Sequence, residues 1–229
     1  VNNAAEQSRL TALFNRRQIR LASQRAIPPS NSFVLADFVC GLGNKTTQST
    51  YRTTFPEATT KQIHEIPGST SAEYPEFTRN WDTAKNSFLF LSGGGMVHKG
   101  LDILLELFAQ HPELHLHICA PVIVESDFYQ AYKHELTNLP NITCHGRIDI
   151  DSHKFATIAQ SCGFLIYPSC AEGQSGAVIN AMHAGLIPVT TPQSGVDNPF
   201  GFTLDSVQHN EILSAIHSAQ QESTQQLQD

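Results

Sequence analysis

The chain has 229 residues, 40% of them hydrophobic, with 14 Lys and Arg against 21 Asp and Glu and a formal net charge of -7 at pH 7. That is enough apolar side chain for one large packed domain, which excludes wholesale disorder, and the acidic balance excludes the basic footprint of a nucleic-acid binder. No apolar run approaches the roughly 20 residues of a membrane-spanning helix, no secretory leader is visible, and five cysteines without a Cys-x-x-Cys pair form a cytosolic pattern.

The chain begins at Val1 rather than Met, so its true start is expected upstream. Residues 1–26 carry a broken apolar stripe of Leu10, Leu13, Phe14 and Leu21 with Arg16, Arg17, Arg20 and Arg25, which predicts a basic helix stopped by Pro28-Pro29. Residues 33–39 predict a strand, Gly41-Leu42-Gly43-Asn44 a turn, 47–54 a short helix, and 61–66 a second strand ended by Pro67-Gly68. Residues 68–86 are polar, contain Pro75 and read as a linker, so the first third has no complete core of its own.

From residue 87 the pattern is regular. Phe88-Leu89-Phe90-Leu91 is a continuous apolar run, as a strand buried on both faces requires. Leu101, Leu104, Leu105 and Phe108 recur at the spacing of one helix face, and Pro112 closes that helix. Further strands are expected at 114–120, 142–144, 164–167 and 187–190, and further helices at 128–136, 155–162, 176–183 and 211–220. Such alternation predicts an α/β fold, a Rossmann-like parallel sheet flanked by helices. The expected organisation is a first unit at 1–67, a linker at 68–86 and the main domain at 87–229.

Two loops each end an apolar strand and start a helix: Ser92-Gly93-Gly94-Gly95-Met96-Val97-His98-Lys99-Gly100 and Pro168-Ser169-Cys170-Ala171-Glu172-Gly173-Gln174-Ser175-Gly176. Ligands of parallel sheets bind beyond the carboxyl ends of the strands, and helix starts offer backbone N–H groups and a positive dipole end to phosphate. Two such loops, with a lysine in one and a glutamate in the other, point to a phosphorylated sugar. Eleven histidines invite a metal reading, and His115 and His117 share a strand face, but no third ligand follows at a recognisable spacing.

Residues 88–197 resemble the C-terminal, donor-binding domain of GT-B glycosyltransferases of the retaining family 4. The resemblance rests on Lys99-Gly100-Leu101-Asp102, Pro140-Asn141-Ile142, Gly146, Pro168-Ser169, Glu172-Gly173, Ala181-Met182, Gly185, Pro188-Val189 and Gly195. Ala36-Asp37 through Gly43-Asn44, then Ile66-Pro67-Gly68, resemble the end of that family's N-terminal, acceptor-side domain. The resemblance implies retaining transfer of a hexosyl unit from a nucleoside-diphosphate sugar to a saccharide or lipid-linked acceptor. This chain would supply the donor half and be inactive by itself. It implies a cytoplasmic location, with peripheral membrane contact through the missing N-terminal part. It implies no cofactor and no bound metal, and no Asp-x-Asp pair is read as holding one.

By the same resemblance Lys99 pairs with the donor diphosphate and stabilises the leaving group, and Glu172, first glutamate of a Glu-x7-Glu motif, meets the transferred sugar. Asn180 stands in place of the second glutamate, toward the ribose. Gly94 and Gly95 allow close approach of backbone to phosphate, where relatives carry an arginine that His98 or Arg147 could replace. The amides of Ser175, Gly176 and Ala177 face the phosphate, and Arg147 and Ile148 border the base. The competing reading is a catalytically incomplete nucleotide-sugar-binding or scaffolding domain; a third, a GT-B epimerase, lacks the acid and base groups it needs.

Overall fold

The structure is a computed structural model that describes residues 3–22, 32–55, 62–70, 72–74 and 78–221. Its centre is a six-stranded, all-parallel sheet of β3 (Ser87–Leu91), β4 (His115–Cys119), β5 (Ile142–Cys144), β6 (Phe164–Tyr167), β7 (Ile187–Thr190) and β8 (Phe202–Thr203), in the order β5-β4-β3-β6-β7-β8. The strand order reverses between β3 and β6, the place where doubly wound sheets open a ligand crevice. The loops that leave β3 and β6 are the two that the sequence singles out.

The apolar runs explain the centre. Phe88, Leu89, Phe90, Phe164, Leu165 and Ile166 have no exposed surface, and the Phe88 and Phe164 rings stack at 5.3 Å between centroids. Each such burial is worth about 1.5–3 kcal/mol. Helices α5 (Leu101–Phe108), α8 (His153–Ser161), α9 (Gly176–His183) and α10 (His209–Gln221) cover the sheet, α10 through Ile212, Ile216 and Ala219. Asn141, from the Pro-Asn-Ile piece, has a structural task. Its amide Nδ2 donates toward the carbonyls of Phe108, His111 and Leu114, which ties the end of α5 to the start of β4.

A second, two-stranded parallel sheet pairs β1 (Val39–Leu42) with β2 (Ile63–Ile66), packed by α3 (Lys45–Thr54) around Val39 and Ile63. The strand expected at 33–39 is displaced. Ser32–Leu35 forms a short helix, α2, and among the described residues strand pairing starts at Val39 opposite Ile63; the turn moves to Gly43-Asn44. The helix expected at 128–136 divides into α6 (Ser126–Ala131) and α7 (Lys133–Asn138), since Tyr132 between them buries its ring completely and leaves helical geometry at φ -115. Residues 23–31, with Arg25 and Pro28-Pro29, lie outside the described residues.

Two pieces expected outside the main domain are built into it. Helix α1 (Asn3–Arg17) buries Leu10 and Leu13 in the core of the six-stranded sheet and pairs Arg16 with Asp102 and Glu106 on α5. In the expected linker, Asn80 caps a short helix, α4 (Trp81–Ala84). Trp81 packs edge-on to Phe164, and the Arg79 guanidinium donates to the carbonyls of Ala159, Ala184 and Gly185 at the ends of α8 and α9.

Candidate active site

Lys99 lies in a tight turn, Met96 to Gly100, between β3 and α5. Gly100 has φ +81, and a Cβ there would come within 2.7 Å of Pro168, so only glycine lets the two loops touch. The Lys99 ammonium reaches across this contact and donates to Glu172 Oε1 at 2.7 Å and to the Tyr167 hydroxyl at 2.7 Å. Ser169 Oγ, at 3.1 Å, and Tyr167 OH, at 3.3 Å, also donate to Glu172 Oε1. The site is thus a lysine and a glutamate, both about one-tenth exposed, held by two hydroxyls at the carboxyl end of β6. An ammonium so held is a fixed positive charge, and fixed charge in a partly desolvated place stabilises developing negative charge well.

His98 fastens the two loops together. It is buried, and its carbonyl accepts from Cys170 N at 2.9 Å. Its Nε2 meets the Ala171 carbonyl, so Nε2 carries the proton and Nδ1 faces Cys170 Sγ at 3.6 Å. His98 therefore does not replace the arginine. Burial pushes the Cys170 thiol up to about 11, so it is protonated and unreactive at neutral pH. Behind Glu172, the Gly173 carbonyl accepts from Thr47 Oγ1 at 2.8 Å and sits where a Cβ on either Gly43 or Gly195 would fall, 2.0 Å away in each case. That contact joins the small sheet to the site.

A cavity of about 520 Å³ runs along the carboxyl ends of β3, β4 and β5, lined by Ser92, Gly93, Arg147, Ile148, Ala177 and Asn180 among others. Four sequence-predicted residues, Arg147, Ile148, Ala177 and Asn180, thus line this cavity, while Lys99 and Glu172 meet each other and are not among its lining residues. Of the glycines it is Gly93, not Gly94 or Gly95, that lines the cavity, and a Cβ on Gly93 would meet nothing within 4 Å. The amides of Gly95 and Met96 instead donate to the Glu125 carboxylate. Ser175 caps α9, accepting from Val178 N at 3.5 Å, but its own amide goes to the Ser194 carbonyl, so of the three amides expected to face phosphate that of Ser175 is already engaged. Asn180 accepts through Oδ1 from the Thr70 hydroxyl at 2.5 Å and donates to the Gly176 carbonyl.

Asp149-Ile150-Asp151 has Asp-x-Asp spacing, and both aspartates line the cavity. Among the described residues no group of three His, Cys, Asp or Glu converges to hold a metal. The strand-face histidine pairs with another: His117 Nδ1 and His145 Nε2 are 3.0 Å apart in nearly coplanar rings, and burial, with His145 next to it, holds His117 down at about 4. Sequence reasoning missed Tyr167 and Ser169 as partners of Glu172. The signal available was a tyrosine ending a run of otherwise apolar strand residues.

With this geometry in view the family is decided by one further observation: residues 85–220, more than half of the chain, match the model of the glycosyl transferases group 1. The chain belongs to that family. Its fold is that of the C-terminal domain of GT-B group 1 glycosyltransferases, and solved structures agree with it at low identity. HepE of Anabaena, in complex with UDP and glucose, is similar at 19% identity and a TM-score of 0.63, over 86% of this chain and 56% of HepE. Sucrose-phosphate synthase from Thermosynechococcus elongatus is similar at 16% identity and 0.63, over 97% and 67%. The catalytic domain of starch synthase IV from Arabidopsis thaliana, bound to ADP and acarbose, is similar at 12% and 0.61, over 86% and 51%. The group 1 chain thus spans little more than half the length of HepE. No curated protein matches it. Among the described residues no helix is long and apolar enough to cross a membrane.

Proposed function

We propose that this group 1 chain is the donor-binding half of a retaining glycosyltransferase, which transfers a hexosyl unit from a nucleoside-diphosphate sugar to a hydroxyl of a saccharide or lipid-linked acceptor. The observation that carries the reading is the Lys99–Glu172 pair at the strand-order reversal, in the two loops that lead into α5 and α9. The nucleoside lies in the cavity against Ile148 and Arg147, with its ribose toward Asn180. The diphosphate meets Lys99 and the amides of Gly176 and Ala177. As the glycosidic bond to the diphosphate breaks, negative charge grows on the leaving oxygen, and the Lys99 ammonium and the helix dipole stabilise it. Glu172 accepts hydrogen bonds from sugar hydroxyls while it orients Lys99. Residues 1–67 include the remnant of the acceptor side, and the chain alone transfers no sugar.

Calorimetric titration with UDP, GDP and ADP, each with and without Mg²⁺, tests this. Micromolar to submillimolar binding of one nucleotide without metal is expected; a strict Mg²⁺ requirement would instead give Asp149 and Asp151 a metal-holding role. A second reading, a binding or scaffolding domain without turnover, has one observation in its favour: the ribose-side residue is a neutral Asn180 whose acceptor oxygen already takes the Thr70 hydroxyl. It requires weak or absent nucleotide binding and no loss of affinity in Glu172→Ala.

A further inference from the structure

Glu125 has no place in the reading above, yet it touches the glycine loop more closely than any other side chain outside it. It is buried and stands between a 3-10 turn, Val122–Val124, and helix α6, 30 residues further along the chain than the loop it contacts. Its two carboxylate oxygens divide the work: Oε1 accepts from the Gly95 amide and Oε2 from the Met96 amide, the latter at 3.1 Å. Successive backbone N–H groups in a glycine-rich turn form a concavity suited to an anion. Here that concavity holds a carboxylate of the protein itself.

The consequence runs along the backbone. The Gly95 carbonyl accepts from Lys99 N at 2.9 Å, and the Met96 carbonyl accepts from Leu101 N at 2.9 Å. The two peptide units on either side of the Glu125 contact therefore build the turn that carries Lys99 into α5. Gly94 and Gly95 have φ +148 and +76, so this backbone has little intrinsic preference for its present course, and something outside it must select that course.

We propose that Glu125 is the positioning residue of the Lys99 turn: its carboxylate substitutes for phosphate at the Gly95 and Met96 amides and fixes the loop so that Lys99, rather than the loop backbone, receives the donor's diphosphate. This rests on the nucleotide-binding reading. It extends that reading by assigning the loop's anion-binding capacity to an internal group.

The sign of one effect separates this from the opposite idea. If Glu125 merely occupied a site that phosphate must enter, its removal would tighten nucleotide binding. As a positioning group, its removal loosens it. Glu125→Gln retains the shape and one acceptor oxygen but turns an amide N–H₂ toward a backbone N–H. We expect roughly fivefold to tenfold weaker binding of the preferred nucleoside diphosphate, the scale of one lost charge-assisted contact, with unchanged binding of the corresponding uncharged nucleoside. In Lys99→Ala, Glu125→Gln should add little further loss, because both act through one contact. Tighter diphosphate binding, equal loss for nucleoside and diphosphate, or full additivity would each overturn the proposal. Amide hydrogen exchange of the protein without nucleotide gives an arm that does not need binding. The Gly95 and Met96 amides should exchange at least about tenfold faster in Glu125→Gln while amides of β6 and α9 are unmoved, and unchanged exchange at 95 and 96 would overturn it as well. If the wild-type protein binds no nucleotide, the functional reading fails, and the exchange arm still decides whether Glu125 holds the loop.

Discussion

Arg16 with Asp102 and Glu106, and Lys99 with Glu172, are two clusters of opposite charge near one helix, α5, each built on largely buried carboxylates. The first ties α1 to the body of α5: Arg16 reaches Asp102 at 2.8 Å and Glu106 at 2.6 Å, and the Tyr132 hydroxyl adds a 2.7 Å bond to Glu106. The second joins the turn just before α5 to the loop that leaves β6. Pairing is alike in both, although the Arg16 side chain is a third exposed and that of Lys99 only about one-tenth. The difference is the surroundings: helix faces and side chains in one, and in the other two glycine-bearing loops at the strand-order reversal with a helix N-terminus alongside. Buried charge alone marks neither function nor stability; what it can still reach does.

The largest expected effect lies in the first cluster. Arg16→Ala leaves Asp102 and Glu106 with their principal cation gone, and should cost about 2–3 kcal/mol in urea unfolding; the side chain is a third exposed, so the figure sits below that for a sealed pair. Nucleotide affinity should be unchanged, and a matching loss of binding would dissolve the contrast between the clusters.

Next is a pH effect. Complete burial pushes Asp102 up to about 6 despite the Arg16 guanidinium next to it, and its Oδ1 has no hydrogen-bond partner among the described residues. The folded protein then holds a proton on Asp102 that the unfolded chain, titrating near 3.8, has released. Its contribution is therefore full below about pH 4 and is lost as pH rises to about 6, an effect on the order of 2 kcal/mol. The wild-type curve minus that of Asp102→Asn isolates it; parallel curves between pH 4 and 7 would show that Asp102 titrates alike in both states.

In the second cluster, Lys99→Ala should weaken binding of the preferred nucleoside diphosphate by at least about tenfold, or about 1.4 kcal/mol. Unchanged affinity would remove the phosphate role. Smallest is Asn180→Glu, which restores a charged acceptor at the ribose position and should tighten binding about fivefold in the same titration, near 1 kcal/mol. No gain would mean that Thr70 keeps the new carboxylate occupied.

Legibility from sequence divides along similar lines. The strands of the main sheet were readable because burial on both faces leaves nearly unbroken runs such as Phe88 to Leu91. Helix α9 was readable because Ser175 announces its first turn. Lys99 and Glu172 were found through the short pieces around them, and the structure brings their side chains together. The rest depended on distant partners. Ser32–Leu35 carries apolar residues but forms a helix and pairs with no strand among the described residues. Tyr132 breaks a helix only because Glu106 and a deep pocket await it. Phe202–Thr203 is too short to show a period. Glu125 reads as an ordinary surface acid until the fold lays it against amides thirty positions earlier, and the acid–base pairing of α1 with α5 spans even more chain.

The meeting of Gly43 and Gly195 at the carbonyl of Gly173 bears on how this site could change its substrate. The turn after Glu172 is gripped on two sides by bare backbone, with no room for a methyl group on either. A library that randomises the loops to seek a new sugar donor should therefore recover glycine at both positions whatever sugar is selected, while Gly93, which lines the cavity and where a Cβ would meet no protein atom, should vary with the donor selected. On the donor-binding reading, preference would evolve along the cavity lining, and the junction beside the glutamate is where variation stops.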